Sequence, residues 1–379
     1  TARMMSRRPG GNQSRSIHSA KPALSWPQSL RILAAALFVT AAFNGWLASN
    51  GLADELASNT ARNTTNANQA DDTTTKIVLL AGRPSHGYGS HEHLAGCRIL
   101  AEAIEASTEN VTCQVIPGGW PEDESVLDDA DAIVMYADGG GGHPVLKHLK
   151  TMNNLMDQGV GLVCLHYAVE VPKEAAGKEF LNWLGGYFET HWSVNPHWVA
   201  DFQQFPEHPI TRGVKPFAAN DEWYFHMRFR PEMEGVTPIL SAVPPEETML
   251  RGDGPHSGNP AVREAVGKRQ PQHVAWAFER PASASGKAGR SFGFTGGHYH
   301  WNWGREDILK LVANAIVWTA GREIPADGLQ VFQPTFDKLK QGQDEQPKQD
   351  FDPEATRKAF KLTAATGSSD SLKTAATKQ

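Results

Sequence analysis

The sequence predicts an α/β protein built on a doubly wound, mostly parallel sheet with flanking helices and a β-rich insertion. Three observations carry this reading. Apolar runs at residues 76–81 (KIVLLA), 131–137 (DAIVMYA) and 160–165 (VGLVCL) are nearly continuous, as strands buried on both faces require. Segments with apolar residues at helical spacing separate them, and such alternation gives parallel strands joined by right-handed crossovers. Finally, the runs empty into loops rich in glycine and histidine, at the strand ends where open sheets bind ligands.

Length and composition allow this architecture. With 379 residues, 40% hydrophobic and 21% charged, the chain can bury one large α/β core or two ordinary ones. Charge is unevenly placed. Residues 1–53 hold Arg3, Arg7, Arg8, Arg15, Lys21 and Arg31 and no acid, so the rest of the chain is acidic. That balance argues against a nucleic-acid or anionic-membrane partner, because little positive charge is left to displace phosphate counterions. Arg31 precedes a mostly apolar run at 32–43 that is too short to span a bilayer, with small residues near Ala53. Residues 1–53 therefore read as an export signal, with an uncleaved signal anchor as the alternative, and the folded part is expected in a periplasmic or extracytoplasmic space. Residues 54–75, rich in Asn, Thr, Ala and Asp, read as a disordered linker.

From residue 76 the elements follow in order. The first strand, 76–81, runs into GRPSHGYGSHEH, and Leu94, Ile99, Leu100, Ala103 and Ile104 then share a helix face. A second strand is expected at 111–116 and a third at 131–137. The third ends in Asp138, four glycines and His143. No Lys followed by Ser or Thr comes next, so no nucleotide is expected, and the glycines read as a sharp turn or a close backbone approach. A helix at 145–158 returns the chain to the strand at 160–165, which ends at His166; another helix follows at 178–184. Residues 198–295 read as the β-rich insertion, with strands at 199–202, 237–242, 273–279 and 290–295, and it includes NDEWYFHMRF. The last strand leads into GGHYHWNWG; Ile308, Leu311, Val312, Ala315, Ile316 and Thr319 then recur at helical spacing before Gly321. The α/β domain thus covers 76–328, and residues 329–379, with almost no apolar period, read as a disordered or weakly helical tail.

Fourteen of the fifteen histidines fall between His86 and His300, many just after a strand. Parallel strands share one carboxyl edge, so these loops are expected to converge. Imidazole serves both proton transfer near neutral pH and metal ligation. His166 and His298 are the catalytic candidates, with Glu222 or Asp221 as carboxylate partner. Asp221 and Glu222 are adjacent and would face opposite ways on a strand, one toward the site and one anchoring the loop. The same convergence allows one divalent metal (Zn, Mn or Fe) on His143, His166 and His298. No HExxH motif is present. His91, His93, Tyr136, Asp138, Tyr167, Tyr224, His300 and Trp303 are the expected substrate contacts; aromatic faces beside polar groups suit a sugar ring, and they suit core packing equally. Cys97 and Cys113 could pair, yet each fits a buried thiol better, and Cys164 lies inside the apolar run where a thiol is inert.

The motifs GLVCLH (161–166), HPITRGV (208–214), DEWY (221–224), TGGH (295–298) and the closing LVANAIVWTAGRE together resemble the ThuA-like (trehalose-utilisation) family, over about residues 76–328. The longer forms SHGYGSHEH, VCLHYAVE and FGFTGGHYHWNW resemble a secreted bacterial subgroup. The resemblance implies a class I glutamine amidotransferase-like (flavodoxin-like) fold, with His166 replacing the cysteine of the strand-to-helix elbow and His298 at the position of the catalytic histidine. Without the thiol, glutamine amidotransferase activity is not expected. The family's association with oxidised disaccharides implies an exported carbohydrate-processing enzyme, a hydrolase, lyase or isomerase acting on keto-sugars or keto-glycosides. The alternatives are a non-catalytic saccharide-binding module on the same fold and a subunit of a larger complex.

Overall fold

The computed structural model describes residues 74–283 and 286–362. The expected export signal and residues 54–73 of the expected linker lie outside the described residues. Thr75, assigned to that linker, already belongs to the first strand.

In chain order the elements are β1 (Thr75–Ala81), α1 (His93–Ser107), β2 (Val111–Ile116), β3 (Ala132–Tyr136), α2 (Leu149–Asp157), β4 (Gly161–Leu165) and α3 (Lys178–Trp183). Two short strands, β5 (Gly186–Tyr187) and β6 (Trp198–Phe202), lead to β7 (Phe217–Asp221), β8 (Arg228–Phe229) and β9 (Val236–Ala242). Next come α4 (Pro260–Gly267), β10 (Gln272–Arg280), β11 (Gly289–Phe294), α5 (Glu306–Thr319), α6 (Phe336–Leu339) and α7 (Pro353–Ala359).

Seven strands form the central sheet in the order β2-β1-β3-β4-β11-β10-β9. The five from β2 to β11 are parallel, whereas β10 and β9 continue the sheet antiparallel. The continuous apolar runs are explained by two cores, one on each face. Ile77, Leu79, Val134, Val163 and Leu165 face one, packed with α1 and α5; Val78, Leu80, Ile133, Met135, Leu162 and Cys164 face the other, with α2 and α3. Period-two alternation thus serves two buried faces rather than one.

The β-rich insertion differs from its expected form. The strands expected at 237–242 and 273–279 are part of the central sheet, because the pleat of β10 matches β11 over Ala275–Arg280. The remaining strands pair as two ribbons, β6–β7 and β5–β8. Strand β7 and helix α4 had escaped the sequence reading: FAAND lacks the β-branched residues that mark strands, and α4 is only 8 residues long. The helix expected at 145–158 is split at His148 into a tight turn and α2. All three cysteines are free thiols, with Cys97 and Cys164 buried. Among the described residues no helix is long and apolar enough to cross a membrane.

Of the tail expected to be disordered or weakly helical, residues 329–362 are described and carry two short helices, while 363–379 lie outside the described residues. Its apolar residues are few but each finds a seat. Leu329, Phe336 and Leu339 are buried, Phe336 and Phe351 pack on Trp301, and Phe351 also meets Tyr88. The backbone N–H groups of Gly89 and Asp344 donate to Gln343 and Glu92, which ties the tail to the first loop.

Candidate functional site

Loops from the carboxyl ends of β1, β3, β4 and β11 meet as expected, and a loop after β7 joins them. The first and last are fastened by backbone bonds: His91 N–H donates to His298 O (3.0 Å) and His300 N–H to Gly89 O (2.9 Å). The glycine run makes a close approach. A Cβ on Gly139 would lie 2.1 Å from the Tyr167 carbonyl oxygen, and Gly140 (φ +61°) donates its N–H to Glu170 O. This contact docks the β3 loop on the β4 loop and sets Asp138 beside His91.

His166 ends β4 with φ +54°, and His91 has φ +52°. Left-handed backbone at a non-glycine residue costs of order 1–3 kcal/mol and persists where surrounding structure imposes it. Here it turns both rings inward. His166 Nε2 lies 3.0 Å from His91 Nε2, and His91 Nε2 lies 3.0 Å from His298 Nδ1. Glu222 Oε2 is 3.1 Å from His298 Nδ1 and 3.5 Å from His166 Nε2. One donor atom from each of His91, His166, Glu222 and His298 falls in a set spanning no more than 4.8 Å. Tetrahedral bonds of about 2.1 Å space ligand atoms roughly 3.4 Å apart, so the set fits one ion.

Protonation points the same way. His166 Nδ1 contacts Thr295 O (2.9 Å) and His91 Nδ1 contacts Asp138 Oδ1 (2.8 Å). Both oxygens only accept, the latter as a carboxylate, so each Nδ1 carries the proton. The two Nε2 atoms then face each other at 3.0 Å. Burial drives His91 down to about 2, against the pull of its bond to Asp138, so that ring is neutral. Burial would raise Glu222, but hydrogen bonds and charge from His166 and His298 outweigh it and hold the carboxylate well below its ordinary range. Neutral imidazole and ionised carboxylate are the ligand forms. Rings whose remote N–H is held by a carbonyl or carboxylate are the usual arrangement behind a metal ion.

The other expected residues divide. Tyr224 reaches the centre, its hydroxyl 3.2 Å from His166 Nε2, and Tyr167 lines the adjoining cavity of about 300 Å³. Burial raises Tyr167 to about 12 and keeps it protonated. Asp138 supports His91 from behind. Asp221 does not face the cavity; it is fully buried and accepts the N–H groups of Gly297 and His298 and the amide of Asn302, so it is the loop anchor and Glu222 the inward carboxylate. His143 is no ligand of this set: its Nε2–H donates to Ala168 O and its Nδ1 accepts from Val145 N–H, which occupies both nitrogens in capping a turn. His93 sits behind Asp138 with Nδ1 on Arg83 O. Tyr136, His300 and Trp303 are buried, with Tyr136 donating to Gly297 O; they are floor and packing rather than substrate contacts.

His86, expected among the converging histidines but given no role, lines the same cavity with Asn195, Arg251 and His256, which the sequence did not single out. His86 stacks on His91 at 3.6 Å between ring centres, and its place in the first histidine loop was the available signal. The other three come from irregular insertion segments with no period to read. A larger cavity of about 610 Å³ lies at the amino edge of the sheet beside Arg280 and Arg290, away from these groups.

Comparison with known proteins agrees with the family resemblance. The ThuA family, described as trehalose utilisation, matches residues 78–319, more than half of the chain. No curated protein matches it. Among solved structures, a protein of Bacteroides uniformis ATCC 8492 described as ThuA-like is 17% identical, with a TM-score of 0.45 over 68% of this chain and 96% of its own. Another, from Parabacteroides merdae ATCC 43184, is 12% identical, with a TM-score of 0.41 over 71% of this chain and 99% of its own. From the family match, this chain belongs to the ThuA (trehalose utilisation) family.

Proposed function

We propose that the protein is a carbohydrate-processing enzyme that acts on keto-sugars or keto-glycosides around one divalent metal (Zn, Mn or Fe). The ligands are His91, His166, His298 and Glu222, and the convergence of one ligand atom from each within 4.8 Å, with the His91 and His166 Nε2 atoms facing at 3.0 Å, is the observation that carries the reading. A bound divalent ion supplies a Lewis acid for a carbonyl oxygen. Asp138 and Thr295 orient the two rings, while the Tyr224 and Tyr167 hydroxyls are positioned to donate hydrogen bonds or a proton to sugar oxygens. The family's link to trehalose utilisation supports the carbohydrate class, and the apolar run after Arg31 supports export.

The test is elemental analysis together with turnover of keto-glycosides. Purified protein is expected to hold one divalent ion per chain, and His166→Ala and His298→Ala to lose both ion and turnover. Unchanged turnover in folded variants overturns the assignment. Saccharide binding without product and indifferent to chelation would instead identify a binding module.

A further inference from the structure

We infer that Arg251 and the His256–Glu170 pair form a subsite for an anionic group, so that the sugar taken by this cavity carries a carboxylate. This deepens the metal-centred reading of the same cavity and rests on it.

Arg251 and His256 lie on the segment between β9 and α4, and both line the cavity of about 300 Å³ that His91, Glu222 and His298 also line. The Arg251 guanidinium donates to Asn195 Oδ1 (2.9 Å) and His256 O (3.2 Å). Both acceptors are neutral, and among the described residues Arg251 has no carboxylate partner. Arg251 is the only arginine or lysine among the residues that line this cavity. A guanidinium without a counter-ion beside a cavity matches a planar carboxylate, which it binds through paired hydrogen bonds.

The second group is His256. Its Nε2 lies 2.9 Å from Oε1 of buried Glu170, and its ring stacks on Phe188 with centres 5.3 Å apart. The hydrogen bond to Glu170 raises its pKa above the ordinary value; burial and Arg251 oppose this, and Glu222 in the same cavity assists it. Nε2 is committed to Glu170, and Nδ1 is the ring nitrogen left to meet a ligand.

This wall is pre-built. Arg263 on α4 donates to Asp253 Oδ1, Met249 O and Arg251 O at 2.7–2.8 Å. The N–H groups of His191 and Asn195 hold Pro255 O and His256 O. Little ordering remains for a ligand to impose. A neutral sugar would leave Arg251 facing the cavity with nothing ionic to meet, whereas a sugar acid meets both Arg251 and the His91–His166–His298–Glu222 cluster. The volume is at the small end for ligand sites and suits a single ring.

Calorimetry on the full, metal-reconstituted chain compares D-glucuronate with D-glucose. Glucuronate is expected to bind roughly tenfold tighter or more. Arg251→Met is expected to bring glucuronate down to the level of glucose, with glucose affinity and metal content unchanged, and Arg251→Lys to restore part of the preference. Equal affinities in the wild type, no binding of either sugar, or a preference that survives in Arg251→Met overturns the subsite. Metal content separates this from the broader reading. Protein that holds no metal yet prefers glucuronate sinks the metal centre and keeps the subsite; fully loaded protein without the preference does the reverse.

Discussion

Asp138 stands behind His91 and accepts its Nδ1–H, so its charge sets which nitrogen of that ring is free. Asp138→Asn keeps the shape but weakens this hold, and outer partners of this kind are worth about 10–100-fold in metal affinity. The expected result is that loss, read by competition with a chelator, with an unchanged thermal midpoint; an unaltered affinity would remove His91 from the ligand set. Asp221 and Glu222 show how neighbours separate by direction. The alternation of side chains near a strand end was readable, and so was the division into one inward group and one anchor. Which was which depended on Gly297 and His298, whose N–H groups reach Asp221. His143 failed as a ligand for a related reason: a histidine after a strand can turn back to cap its own turn, and no spacing rule reveals that.

At the scale of elements, the parallel strands and α1 and α5 were legible because their periods are long and uninterrupted. The tail was not, since α6 is 4 residues long and its apolar residues are scattered. Its order comes from pockets elsewhere in the chain. Phe336 is buried against Trp301, in a loop contiguous with His298. Phe336→Ala is expected to cost about 3 kcal/mol by urea titration and to speed deuterium uptake in residues 85–92, which the tail contacts through Gly89 and Glu92. Stability lost without any change in that loop would mean that the tail packs without supporting the site.

Across the whole molecule, burial of histidine couples folding to pH. His143 is fully buried and held at about 4, against 6.5 in the open. As pH falls the unfolded chain takes up this proton first, so the contribution is complete above about 6.5 and drains away toward 4, by at most about 3 kcal/mol. Unfolding free energy measured at pH 4.5 and 7 is expected to differ less in His143→Gln than in the wild type; equal differences would show that His143 does not control this loss. By itself the sequence determined the fold class, the order of the main strands and helices, and a carboxyl edge crowded with histidine, because periodicity and punctuation are local properties. Only the tertiary structure decided that His91 joins His166, that Glu222 and not Asp221 turns inward, and that Arg251 and His256 line the same cavity. Ring direction is set by backbone φ and by partners up to 207 residues away, and neither is written in spacing.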